Sequence, residues 1–172
     1  MLSLSYYQID DYRTCPLKYK FVHVLRVPIM EHHTVLYGKA LHDCVQKYFQ
    51  YKAKDIAINK DELIQSFLDS FKQEGFLDVR HQEERANAGA LAIERFFLEQ
   101  EKIKSNPTYV EKEFTFILDN NRVTGRWDML YLTDEESRIV DFKSSNVKKQ
   151  ADADKKAEGS LQLSIYAMAF KH

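Results

Sequence analysis

The chain has 172 residues, of which 44% are hydrophobic and 30% charged, and its net charge is −1. That length supports a single domain with a real core, and only 5 Gly and 3 Pro argue against a loop-dominated or disordered chain. A balance so near zero gives no global attraction to polyanions, so any nucleic-acid contact must rest on a local field.

Ser5-Tyr6-Tyr7-Gln8 reads as a capping box, with Ser5 at the N-cap and a helix running to about Thr14. Pro16 interrupts, and Leu17–Phe21 starts a second short helical piece. Residues 28–33 read as a loop. From Leu36 to Tyr51 the apolar residues Tyr37, Ala40, Leu41, Cys44, Val45, Tyr48 and Phe49 form a helical stripe, with Gly38 and His42 along one edge. A helix over Asp61–Glu74 follows, with Gly75 as its stop, then a long one from about Val79 to Lys104.

The period then shortens. Tyr109–Leu118 and Arg122–Leu132 read as strands joined by the turn Asp119-Asn120-Asn121, and Ser137–Lys143 as a third strand. Residues 146–159, with Lys148, Lys149, Lys155 and Lys156, read as a mobile polar loop, and the final helix spans about Ser160 to Phe170. The expected fold is α/β, a small mixed central sheet flanked by helices with a helical N-terminal portion. It is expected as one domain over 1–172, helical over 1–105 and carrying the sheet and last helix over 106–172.

Cys15 and Cys44 make no disulfide framework. No signal peptide opens the chain, and no apolar run approaches the roughly 20 residues of a membrane span. The expected location is therefore cytoplasmic, with no membrane contact.

The chemistry-bearing residues cluster late in the chain. Gly125-Arg126-Trp127-Asp128 is followed by Asp141-Phe142-Lys143. Hard cations such as magnesium take oxygen ligands and often only one or two protein carboxylates. Asp128 and Asp141 supply that number from adjacent predicted strands. Lys143, two residues after Asp141, would share its strand face and project an ammonium beside a metal, while Phe142 would turn into the core. His42 offers a nitrogen donor on the rim of a buried helix stripe. Gln162 and Tyr166, four apart on the last helix, face one way and suit hydrogen bonding to a phosphate or a metal-bound carboxylate. Each signal taken alone has a plainer reading. An Asp-x-Lys triplet is commonly a solvated strand face, a lone histidine a hydrogen-bonded helix residue, and a Gln–Tyr pair a helix surface beside the core. The order, spacing and strand–strand–helix context together favour a phosphodiester-cleaving site.

The run Leu4-Ser5, Tyr12, Cys15-Pro16, Lys18-Tyr19 and Phe21 resembles the opening of RecB-like nuclease domains of the PD-(D/E)XK superfamily. The likeness continues through Gly38-x-x-x-His42, Val110-Glu111-x-x-Phe114, Gly125-Arg126-Trp127-Asp128, Val140-Asp141-Phe142-Lys143 and Gln162-x-x-x-Tyr166. The resemblance implies a restriction-endonuclease-like core and a metal-dependent deoxyribonuclease using Mg2+ or Mn2+. Its substrate would be single-stranded or unwound DNA, in repair or recombination. By the same resemblance His42, Asp128, Asp141 and the carbonyl of Phe142 are the metal ligands and Lys143 is the catalytic lysine. Gln162 and Tyr166 contact DNA and support the site, and Glu111 and Arg126 act behind it. The implied partner is a helicase, as a subunit or as a fused domain, the latter making the chain a piece of a larger helicase–nuclease. Iron–sulfur members of the family use four cysteines, and Cys15 by itself holds no cluster. Gly38-Lys39 lacks the upstream glycine of a nucleotide-binding loop, so no ATP hydrolysis is expected of this chain. Two rivals stand beside this reading: a catalytically silent DNA-binding or scaffolding module of a helicase complex, and an RNA-directed endonuclease of the same superfamily.

Overall fold

The structure, a computed structural model, describes residues 1–71, 76, 78–145, 147 and 149–172. The described chain parts into two compact units: Met1–Ile29, Glu111–Leu130 and Ser137–His172 form the first, and Met30–Val110 with Tyr131–Glu136 the second.

In the first unit the N-terminal helix α1 spans Tyr6–Thr14 and is closed by a full capping box. The backbone N–H of Ser5 donates to Gln8 Oε1 at 2.8 Å, and the Gln8 N–H donates back to Ser5 Oγ. Pro16 opens α2, Pro16–Tyr19, at the position where its missing N–H costs nothing, and Cys15 caps that helix through its sulfur. A π-helical turn, Lys20–Val24, follows.

The sheet has the strand order β1-β3-β2, with β4 also paired to β3. Strand β1 is Ser3–Leu4, β2 Tyr109–Leu118, β3 Asn121–Leu132 and β4 Ser137–Val140. The two-residue strand β1 has no sequence signal of its own and runs parallel to β3, pairing Ser3 with Arg122 and Leu4 with Val123. Asp119 and Asn120 join β2 to β3 with φ values of 46° and 63°. Both central residues thus take the left-handed conformation that a two-residue hairpin turn demands, and asparagine and aspartate tolerate it best after glycine. Helix α7, Leu161–Lys171, lays Ile165 and Tyr166 against Phe114, Phe116, Val123, Trp127 and Leu130 to form the core of this unit.

Two expectations are corrected here. Residues 150–158 are not loop but helix α6, Gln150–Glu158. Three alanines and an i,i+4 hydrogen bond from Gln150 to Asp154 at 2.8 Å favour helix without any apolar stripe, and Lys155 and Lys156 complement the dipole in its last turn. Lys148 lies outside the described residues. Strand β4 ends at Val140, so Asp141, Phe142 and Lys143 follow it as irregular backbone. Phe142 is half-buried and does not belong to the core cluster.

The second unit is a helical layer: α3 His33–Lys52, α4 Lys60–Ser70 and α5 Val79–Gln100. Helix α3 buries the expected stripe of Tyr37, Ala40, Cys44, Tyr48 and Phe49. The ring of Tyr48 meets Phe49 and Phe96 edge-on. Cys44 donates its S–H to the Leu63 carbonyl at 3.2 Å, and burial pushes its thiol up to about 12. Helix α4 ends at Ser70 and α5 at Gln100, both short of their expected ends, and the expected stop at Gly75 lies outside the described residues.

Candidate metal and phosphodiester site

Strand β3 carries Asp128 next to Trp127, and the alternation of a strand sends them to opposite faces. Trp127 enters the core, where its indole N–H donates to the Tyr166 carbonyl at 3.2 Å. Asp128 is left half-buried on the other side, where its Oδ2 accepts the backbone N–H of Phe142 at 2.8 Å. That bond ties the segment after β4 to β3 and sets where Asp141 and Lys143 stand. Gly125 is required two residues before Trp127, on the same strand face. A Cβ there would come within 2.4 Å of the Phe114 ring, so only glycine lets that aromatic close over the strand.

Asp141, Lys143 and Gln162 form a closed polar ring. Lys143 Nζ pairs with Asp141 Oδ2 at 2.7 Å and donates to Gln162 Oε1 at 2.7 Å. Gln162 Nε2 donates to Asp141 Oδ1 at 2.8 Å and to the Tyr166 hydroxyl at 2.7 Å. The Asp141 side chain is 5% exposed and that of Lys143 57%, so the carboxylate is held from below while the ammonium faces outward. Gln162 is buried as a whole residue, backbone included, at 4% exposure. Burial is the main cause that raises the Tyr166 phenol well above its usual range; its Gln162 bond works the other way, and Asp141 and Asp128 add to the rise. Tyr166 is therefore a neutral hydroxyl throughout the physiological range.

Glu111 sits inside β2 yet has φ 54°, a left-handed conformation that glutamate rarely adopts. Such a residue persists only where its surroundings hold it, and positions of this kind gather at functional sites. Its side chain is 8% exposed and forms an ion pair with Arg126 on β3. The carboxylate oxygens of Glu111 and Asp128 approach within 4.8 Å of each other. The sequence assigns Glu111 only a supporting place. No residue pattern announces a left-handed glutamate, so its closeness to Asp128 is new information from the fold.

Of the residues singled out from sequence, the first unit therefore brings together Asp141, Lys143, Gln162 and Tyr166 in one network, Asp128 with Phe142, and Glu111 with Arg126 and Asp128. His42 belongs to the second unit, half-buried on α3, two residues before the core position Cys44.

The donor set fits a hard divalent cation. Two carboxylates this close repel each other unless a positive charge lies between or beside them. Each carboxylate oxygen can accept two partners, which lets an ionised Asp or Glu serve several donors or a cation. Oxygen donors of this type suit magnesium or manganese.

No curated protein and no solved structure matches the chain. The family model described as the PD-(D/E)XK nuclease superfamily matches residues 3–172. That span takes in both units and every residue of the networks above, and the chain belongs to the PD-(D/E)XK nuclease superfamily.

Proposed function

We propose that the protein is a RecB-like, metal-dependent deoxyribonuclease acting on single-stranded or unwound DNA during repair or recombination, alongside a helicase. The observation that carries this reading is the ring of Asp141, Lys143 and Gln162, in which a lysine is pinned at 2.7 Å to a nearly buried carboxylate while its side chain stays open to solvent. A structural ion pair gains little from such an arrangement. A phosphate-facing ammonium needs it.

The ligands proposed for the metal are Asp128, Asp141, the Phe142 carbonyl and Glu111, with His42 as the nitrogen donor. When bound, the cation would lower the pKa of water and offset charge on the phosphate. The protein's own groups then act as follows. Lys143 has three N–H donors, and two meet Asp141 and Gln162. The third can face a non-bridging phosphate oxygen or the attacking water, where charge develops. Gln162 accepts from Lys143 and donates to Asp141, so it sets the angle between ammonium and carboxylate. Tyr166 holds Gln162 in place from the core side. Arg126 balances the charge of Glu111, and its half-exposed guanidinium can reach a DNA phosphate.

Two measurements test the reading. Manganese titration calorimetry should give binding to the wild-type protein and its loss in Asp128→Ala. End-labelled single-stranded DNA should be cut with manganese and left intact with chelator, and equimolar RNA should compete poorly. DNA binding without any manganese affinity would overturn the proposal in favour of a silent binding module.

A further inference from the structure

The Ser5 cap makes Tyr6 and Tyr7 the first two residues of α1. The two then part company. Tyr6 is half-buried and packs against the core cluster formed by Phe114, Trp127 and Tyr166 with their neighbours. Tyr7 is 66% exposed. Their rings touch, with centroids 5.3 Å apart at 57°. Helix α1 lies against α7, the helix that carries Gln162 and Tyr166. Tyr6 thus packs on the cluster that includes Tyr166, whose hydroxyl accepts a hydrogen bond from Gln162 of the polar network. An exposed aromatic ring therefore stands on the rim of the polar network, braced from behind by a second tyrosine.

We propose that Tyr7 is a stacking platform for an unpaired nucleobase next to the phosphate at Asp141 and Lys143, with Tyr6 fixing its ring. This rests on the reading of that network as a phosphodiester site. A phosphate at Lys143 carries a flanking base that an aromatic ring on the rim can receive. Every base offers a π-face, so a tyrosine there binds without sequence preference. Tyrosine supplies contact area at the cost of only two side-chain torsions. A base inside a duplex has both faces covered by its neighbours and cannot stack on Tyr7 without leaving the helix. The ring thus discriminates by strandedness rather than by sequence, and it does so outside the residues that would hold the metal.

The test is equilibrium binding of a single-stranded oligodeoxynucleotide carrying a fluorescent adenine analogue. It is done with calcium in place of magnesium, and the strand is checked intact on a gel. Wild type, Tyr7→Ala, Tyr7→Phe and Tyr7→Trp are compared. Stacking quenches the analogue in the wild type. Tyr7→Ala should abolish the quench and weaken binding roughly 5- to 100-fold, the equivalent of about 1–3 kcal/mol. Tyr7→Phe and Tyr7→Trp should retain both, and duplex affinity should not change among the four. Because Tyr7 is exposed, thermal midpoints should agree. No quench in the wild type, wild-type binding in Tyr7→Ala, or a loss in Tyr7→Phe equal to that in Tyr7→Ala would each overturn the proposal. The readout does not need cleavage. Tyr7-dependent binding by a protein that cuts nothing would refute the nuclease reading and leave this one standing. Normal cleavage with Tyr7→Ala binding like wild type would do the reverse.

Discussion

Gln162 engages its whole amide: Oε1 accepts from Lys143, and Nε2 donates to both Asp141 and Tyr166. Removing it would free Lys143 and Asp141 to adopt other rotamers while leaving both in place. Substitution of a group that only orients others at a metal site commonly costs about 10- to 100-fold in activity. Gln162→Ala is expected to fall in that range in kcat/KM on single-stranded DNA while still binding manganese. Gly125→Ala acts on stability instead. Its new Cβ meets the Phe114 ring at 2.4 Å, and that ring is also packed against Trp127 with centroids 4.6 Å apart. Overpacking of this kind costs about 1–3 kcal/mol, read as a lowered urea midpoint. The side-chain chemistry and order of Asp128, Asp141, Lys143, Gln162 and Tyr166 are legible in a bare sequence. Their pairings are not. Lys143 and Gln162 are 19 residues apart in sequence, and nothing local says that their side chains meet. Glu111 was legible only in part, since its left-handed backbone is imposed from outside the strand.

At the scale of elements, local signals fared best where they carry a backbone mechanism. The capping box at Ser5 marked the start of α1, and the Asp119-Asn120 turn marked the hairpin between β2 and β3. The Asn59 cap of α4 is built the same way, with Asn59 Oδ1 accepting the Glu62 N–H at 2.8 Å and Glu62 reaching back to the Asn59 N–H. Asn59→Ala should therefore lower stability by about 0.5–2 kcal/mol, measured by chemical unfolding. Helix α6 has no apolar stripe and so no periodic signal in the sequence; alanine propensity and the Gln150–Asp154 bond decide there. The end of β4 at Val140 has a different, tertiary cause. The Asp128 carboxylate captures the Phe142 N–H, so a side chain takes the donor that a continued strand ladder would have used. Asp141 and Lys143 still meet, through their ion pair rather than through the pleat.

At the scale of the whole molecule, the reading of helices around a small mixed sheet agrees with the structure, and the likeness to a nuclease superfamily agrees with a match over residues 3–172. The RecB-like character, the DNA substrate and the helicase association remain the proposal made above. Folding stability should depend on pH in two separate windows. Burial first, then the neighbouring His32, His81 and Arg85, holds His33 below its ordinary value of 6.5. As pH falls through that value the unfolded chain takes up the proton first, so this contribution is complete above it and is lost below it. His33→Gln should flatten the fall in stability as pH drops below 6.5 in urea titrations. Hydrogen bonds from Lys18 and His23 hold Asp11 below its ordinary 3.8, and that contribution is lost only at more acid pH. The central claim is that the carboxylate and ammonium of Asp141 and Lys143 cut a phosphodiester with a bound cation. Its most direct test is single-turnover cleavage of end-labelled single-stranded DNA with manganese, by wild type, Asp141→Ala and Lys143→Ala at equal folded concentration. The account expects cleavage by the wild type and loss of at least about two orders of magnitude in each variant. Undiminished cleavage in both variants would contradict it.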